Sequence, residues 1–330
     1  MSLFSSAAPG RSASLFDRGA MLRAEGPVFV VGAVNMDISG TPEAELRAGD
    51  SNPGRVSLSP GGVGRNIAEN LRLLGRKVSL ITVMGNDAYA GVIRDHCRNA
   101  GIDLQYSLTD PLGRTSTYLC INEPDGDLHM AVSDMAICDQ ITPARLEPLL
   151  PVLNRSAMLI ADANLPEETL AWIAGHVTIP LAADPVSVAK AARLKPLLPR
   201  LTLIKPNIPE AELLTGMTIR GDGDLGRAAD ALHRLGVRRV YLSLGPRGVW
   251  ADDPREGGEM IPCCPGPIVN TTGCGDAFVA AAADAYLNGL GTLAAARRAL
   301  AAASVCASDP AAVCPRLSQE AIDLKLTFPA

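Results

Sequence analysis

The residue pattern predicts an α/β protein with a mostly parallel sheet. Two observations carry that expectation. Short apolar runs of strand length recur along the chain, and amphipathic helical patterns separate them. The runs are apolar almost without interruption, as strands covered on both faces are. At 330 residues and 47 % hydrophobic, the chain has material for a sizeable core.

The first strand is read at residues 27–33, leading into Gly32-Ala33-Val34-Asn35. Further runs lie at 78–84, 157–161, 179–183, 201–204 and 239–244. Between them, residues 64–74 place Ile67, Leu71 and Leu74 on one helical face. Residues 87–100, 143–153, 167–175, 225–235 and 277–287 also read as helices. Two segments break the rhythm. Residues 37–58 are polar with Gly and Pro. Residues 114–121 and 128–132 alternate around Pro124-Asp125-Gly126-Asp127, a hairpin signal. Together, segments 37–58 and 114–132 are expected to form a small antiparallel lid beside the main sheet. Residues 1–26 are rich in Ser, Ala and Arg without hydrophobic periodicity, and read as a disordered tail with no signal-peptide core. Met21 is an alternative start. Residues 27–330 then form one domain.

Charge and cysteine usage exclude several classes. The net charge of −5 is spread along the chain, and no basic block marks a nucleic-acid partner. The longest apolar stretches are far too short for a membrane span. Eight cysteines include no C-x-x-C pair, and four histidines supply no zinc spacing. They read as reduced thiols of a cytoplasmic protein.

Five motifs carry chemistry. In Asn270-Thr271-Thr272-Gly273-Cys274-Gly275-Asp276, glycines turn the chain into an alanine-rich helix. The free amides of a helix start favour an anion, and Asp276 beside them can take a proton from an attacking hydroxyl. Alone, this run is better explained by an acid capping a helix after a glycine turn; its companion motifs reverse that. Ser59-Pro60-Gly61-Gly62-Val63-Gly64-Arg65-Asn66 opens the first helix, where Gly61 and Gly62 permit close backbone approach and Asn66 offers donors and an acceptor. Asn35-Met36-Asp37 ends the first strand, where open α/β sheets bind ligands, but it is equally turn chemistry. Lys205-Pro206-Asn207-Ile208-Pro209-Glu210-Ala211-Glu212 follows a strand; it can orient phosphates or hydrated magnesium, or simply cap a helix through Asn207. Ser243-Leu244-Gly245-Pro246-Arg247-Gly248 can line a nucleotide or make a tight turn. Gly221-Asp222-Gly223-Asp224-Leu225-Gly226 matches G-x-G-x-x-G, yet its aspartates would repel a phosphate, so it reads as a surface turn.

In this order the five motifs resemble the PfkB, or ribokinase-like, family of carbohydrate and nucleoside kinases, from about residue 28 to 317. Within it the likeness is strongest to the pseudouridine kinases. That likeness rests on Asp50-Ser51-Asn52-Pro53-Gly54, the 60–71 segment, Thr115-Ser116-Thr117-Tyr118, Ser133-Asp134-Met135, Ala161-Asp162-Ala163-Asn164 and Asp184-Pro185-Val186-Ser187. The resemblance implies a three-layer α/β/α sandwich with a β lid, and transfer of the γ-phosphoryl of ATP to the 5′-hydroxyl of pseudouridine. It implies Asn35, Asp37, Gly61, Gly62, Asn66 and Asn164 on the substrate, with Thr115 and Thr117 reaching the base from the lid. Asn207 would organise phosphate, and Glu210 would hold Mg²⁺ through water. Ser243, Gly245 and Gly248 would border the nucleotide, with Ala302 in a segment beside the adenine. Gly273, Cys274 and Gly275 would form the anion hole, with Asp276 as base. Many relatives carry an acid at the place of Asn270 that helps hold a monovalent cation, so a cation requirement stays open. A homodimer through the lid is expected, because open sheet edges tend to be covered. The competing readings are a sister kinase for ribose, another nucleoside or a sugar, a non-catalytic nucleoside-binding regulator, and a dinucleotide oxidoreductase.

Overall fold

The computed structural model describes residues 26–125 and 127–327. The expected tail lies outside these residues except for Gly26, as does Gly126 of the hairpin turn. The strands are β1 (Val28–Val31), β2 (Asn35–Pro42), β3 (Gly54–Gly61), β4 (Val78–Ile81), β5 (Val83–Met84), β6 (Leu108–Thr109), β7 (Thr117–Asn122), β8 (Leu128–Asp134), β9 (Met158–Asp162), β10 (Leu181–Asp184), β11 (Leu201–Ile204), β12 (Arg239–Ser243), β13 (Val249–Asp253) and β14 (Gly257–Ile261).

Eight of them form one sheet in the order β14-β13-β12-β11-β10-β9-β1-β4, parallel from β12 through β4. Strand alternation splits the core in two. Val28 and Val30 point into one cluster, Phe29 and Val31 into the other. The first cluster lies under the helices Val63–Leu73, Ala88–Asn99, Cys274–Leu287 and Thr292–Ala307. The second lies under Glu167–His176, Ile208–Thr215 and Leu225–Arg234. The sheet is therefore the middle of three layers, as predicted. Because the central strands are parallel, their carboxyl ends share one edge, and the loops after β1, β9, β10, β11 and β12 gather there.

Four details depart from the sequence expectation. The 78–84 run divides at Thr82 into β4 and β5, and β5 pairs with β6. The expected helix 143–153 breaks into Pro143–Leu146 and Leu150–Leu153 around a 3₁₀ turn, because Pro148 and Pro151 cannot donate to an α-helical ladder. An antiparallel pair, β13 and β14, closes one sheet edge. The lid is real but not antiparallel throughout. Its order is β3-β2-β7-β8, and the central pair β2–β7 runs parallel. It also extends to Asn35, Gly61 and Asp134, beyond the expected segments.

Candidate active site

The site begins where β1 turns into the lid. Asn35 Nδ2 donates to Asp37 Oδ1 at 2.5 Å. Asp37 packs directly over Gly61, where any Cβ would collide with its carboxylate. Gly62 has φ 99, and a Cβ there would lie 2.6 Å from Val34 Cα. A side chain at Gly62 would run into backbone, and one at Gly61 would have to displace the Asp37 carboxylate. Burial pushes the Asp37 carboxyl up, against the Asn35 hydrogen bond and the Arg65 charge.

The helix Val63–Leu73 then carries two polar side chains inward. Buried Arg65 donates through Nη2 to Pro60 O at 2.8 Å and to Asn66 Oδ1. Asn66 Nδ2 in turn donates to Asp276 Oδ2 at 2.7 Å, across 210 residues of sequence. Asn66 thus spends both ends of its amide within the protein.

Asp276 lies in the first turn of the helix Cys274–Leu287 and is buried. Gly273 precedes it with φ 81, packed so closely on Ala312 O that only glycine fits. Lys205 Nζ sits beside Gly275, 3.3 Å from where a Cβ would be, and 4.0 Å from Asp184 Oδ2. Burial first, and the Asp184 charge second, push the Asp276 carboxyl up to about 8; Asn66, Lys205 and Arg65 oppose them. By helix geometry the first-turn amides lack intrahelical partners. The Cys274 amide turns back to Thr271 O at 3.3 Å. A buried carboxyl, a lysine and a helix start therefore face one point, which suits an anion next to a proton acceptor.

The next loops complete the edge. Asn207 and Glu210 form a reciprocal capping box, each backbone N–H donating to the other's side chain at 2.9 Å. Burial raises the Glu210 carboxyl, with Asn207 and Lys205 opposing and Asp184 adding to the rise. Ser243 bridges to Asn207 in parallel register. Gly245 has φ 60 and Gly248 has φ 104, so this motif is also a tight turn. Asn270 uses its side chain on Pro310 O at 2.8 Å and Thr272 N at 2.9 Å.

Thr115, Thr117 and Ala302 sit differently from their expected places, while Asn164 is held from within. Thr115 is buried at the root of β7; its hydroxyl donates to Asp87 Oδ1 at 2.7 Å and accepts from Gly85 N at 3.1 Å, so it does not reach out from the lid. Thr117 lies on β7, half-buried beside Met36, and strand alternation puts it on the lid face opposite Asp37. Ala302 packs fully into the core, because its side of the helix Thr292–Ala307 faces inward and leaves it no open surface. Asn164 is buried and accepts a hydrogen bond from Lys190 Nζ at 2.6 Å.

Lys205, Arg65 and Asp184 stood in the sequence only within longer motifs, with no role of their own, and Lys190 in none. For Asp184 a signal existed: it ends an otherwise apolar strand at the ligand-binding edge. It accepts Val186 N at 2.7 Å, holding Val186 at φ 65, the one positive φ off glycine among the described residues.

The chain is similar to known proteins over most of its length. The pattern of the pfkB family carbohydrate kinases matches residues 27–316. The pseudouridine kinase of Escherichia coli K12 is 35 % identical over 271 residues, covering 82 % of this chain and 86 % of that protein. A solved carbohydrate kinase from Agrobacterium tumefaciens is 31 % identical, with TM-score 0.81, covering 92 % of this chain and 98 % of that one. Ribokinase of Arabidopsis thaliana, solved with ribose and ATP, has the same fold at TM-score 0.81 and 24 % identity, covering 92 % and 99 % of the two chains. The chain therefore belongs to the pfkB family of carbohydrate kinases and is a phosphotransferase that acts on a hydroxyl group.

Proposed function

We propose that the protein transfers the γ-phosphoryl group of ATP to the 5′-hydroxyl of pseudouridine, giving pseudouridine 5′-phosphate and ADP. The observation that carries the chemistry is buried Asp276 at a helix start with Lys205 Nζ against Gly275. The choice of pseudouridine rests on the likeness to the Escherichia coli enzyme over most of both chains.

In this reading Asn35, Asp37, Gly61 and Gly62 hold the ribose hydroxyls, and Asn164 borders the nucleoside. Asp276 accepts the proton of the 5′-hydroxyl. The amides of the Gly273–Gly275 turn and Lys205 carry the charge of the transferred group. Ser243, Gly245 and Gly248 border the nucleotide, with Asn207 toward its phosphates. Glu210 and Asp184, two buried acids facing Lys205, fit a hydrated Mg²⁺. When bound, that ion neutralises phosphate charge.

The assembly in this reading is a homodimer through the lid. In-register pairing puts Val56, Leu58, Leu119, Met130 and Val132 on one lid face, each at least 42 % exposed. Asp37 and Tyr118 lie on the opposite face. An apolar face of this kind is normally covered.

The test is ADP release with ATP and a panel of pseudouridine, uridine, inosine and ribose, with the product located by phosphorus NMR. Pseudouridine is expected to give the highest kcat/KM, with phosphate on the 5′ oxygen. Turnover of ribose without turnover of pseudouridine would overturn the choice of acceptor. Nucleoside binding by calorimetry with no ATP turnover would instead favour a regulator.

A further inference from the structure

The guanidinium of Arg65, only 3 % exposed, is engaged at each of its three nitrogens. Nε donates to Gly61 O at 3.3 Å and Nη2 to Pro60 O at 2.8 Å, so it clamps the turn that opens the helix Val63–Leu73. Nη1 donates to Glu69, one helical turn on, and His96 Nε2 lies 2.8 Å from the same Glu69 oxygen. Nη2 donates also to Asn66 Oδ1, and Asn66 Nδ2 donates to Asp276 Oδ2 at 2.7 Å. Among the described residues Asn66 is the one hydrogen-bond donor to that carboxylate.

We infer that Arg65 is a positioning residue: it sets the direction of the Asn66 amide, which then presents a donor, not an acceptor, to Asp276. A side-chain amide has an oxygen that accepts and a nitrogen that donates, and it can turn either to a neighbour. Arginine removes that choice. It carries donors alone, so the end of Asn66 that faces it must be the oxygen. The other end is then Nδ2, and an N–H donor favours the ionised carboxylate. That contact engages Oδ2 of Asp276 and leaves Oδ1 for the hydroxyl proton of the substrate. With the amide reversed, oxygen would face oxygen. The carboxylate would then turn away or hold a proton, and in either state it is no base. Glu69 supplies the counter-charge that a buried guanidinium needs, and His96 backs Glu69 from the outer side. The assignment rests on Asp276 as the base of the proposed reaction.

A residue that only supported the turn would act differently. The Pro60 and Gly61 contacts lie at the proposed ribose site, so their loss alone would raise KM and spare kcat. A fall in kcat that depends on Asn66 is the mark of the amide.

The experiment is a double-mutant cycle on the full chain, with kcat measured at saturating ATP and acceptor. The native chain and Asp276→Asn are assayed first. Native turnover in Asp276→Asn would remove the base and the Arg65 assignment together; failure of the cycle alone would leave the base in place. Arg65→Met is made with Glu69→Met, because a lone buried carboxylate would itself destabilise the fold. In the native background this pair of substitutions is expected to lower kcat on the order of 10²-fold, as Asn66→Ala alone does. Over Asn66→Ala it is expected to leave kcat within about 2-fold. An equal fall in both backgrounds, or a native kcat with a raised KM, would overturn the proposal. Arg65→Lys decides the matter if the pair does not fold. It keeps the buried charge beside Glu69, but an ammonium lacks the fixed fork that spans Pro60 O, Glu69 and Asn66. It should lower kcat roughly 10-fold, and only while Asn66 is present. Native kcat in Arg65→Lys, or the same fall over Asn66→Ala, would equally overturn the proposal.

Discussion

At the scale of single residues, Asp276 has the most perturbed environment among the candidate site groups. Its carboxyl sits at about 8 because burial and Asp184 outweigh Asn66, Lys205 and Arg65. A base must be ionised, so kcat/KM of the free enzyme should rise with pH along a limb centred near that value. Lys205→Met removes a charge that favours the ionised form, so the limb should move to higher pH; a limb that stays put would separate Lys205 from Asp276. Asp276→Asn should lower kcat by roughly 10²–10⁴-fold in a steady-state ADP assay, with nucleoside binding by calorimetry largely kept. Stability follows the same carboxyl. Its folded value lies above the ordinary 3.8, so the folded state keeps a proton that the unfolded state releases between those two values. Its contribution is then fully present below the lower value and lost as pH rises toward 8. The Tm advantage of Asp276→Asn over the native chain should therefore be larger at about pH 9 than at about pH 5, read by scanning calorimetry.

At the scale of elements, the glycine turns matter more than the helices they open. Gly62 and Gly75 flank the same helix, Val63–Leu73, with φ 99 and φ 89. A Cβ at Gly75 meets nothing within 4 Å, whereas one at Gly62 runs into the Ala33–Val34 backbone. Gly75→Ala should cost only the positive-φ strain, about 1–3 kcal/mol. Gly62→Ala should cost more in urea titration, and it should also raise KM by shifting the turn placed at the ribose. The legibility of these elements was uneven for a physical reason. The turn at 60–66 and the capping box at Asn207 and Glu210 are local, so their residue types announced them. The site at Asp184 was quieter, because one acid after an apolar run looks like any strand end.

At the scale of the molecule, the lid presents two unlike faces. Its polar face includes Asp37, and its apolar face is open. Val132→Asp should leave the fold intact and shift the mass by light scattering toward the monomer; a native chain that is already monomeric would remove the dimer. No helix among the described residues is long and apolar enough to cross a membrane.

The sequence by itself determined the alternation of strands and helices, the ordered motifs, and the identity of the glycines that only a glycine could replace. Those follow from periodicity and turn chemistry, which act over a few residues. Only the tertiary structure decided that Asn66 reaches Asp276, that Lys205 lies over Gly275, and that the central lid strands run parallel. Parallel neighbours are joined by crossovers, so residues that share the strand-end edge come from distant parts of the chain. The Asn270–Asp276 run was legible as a turn with an acid; the lysine beside it and the second acid that raises its carboxyl were brought there by the order of the sheet.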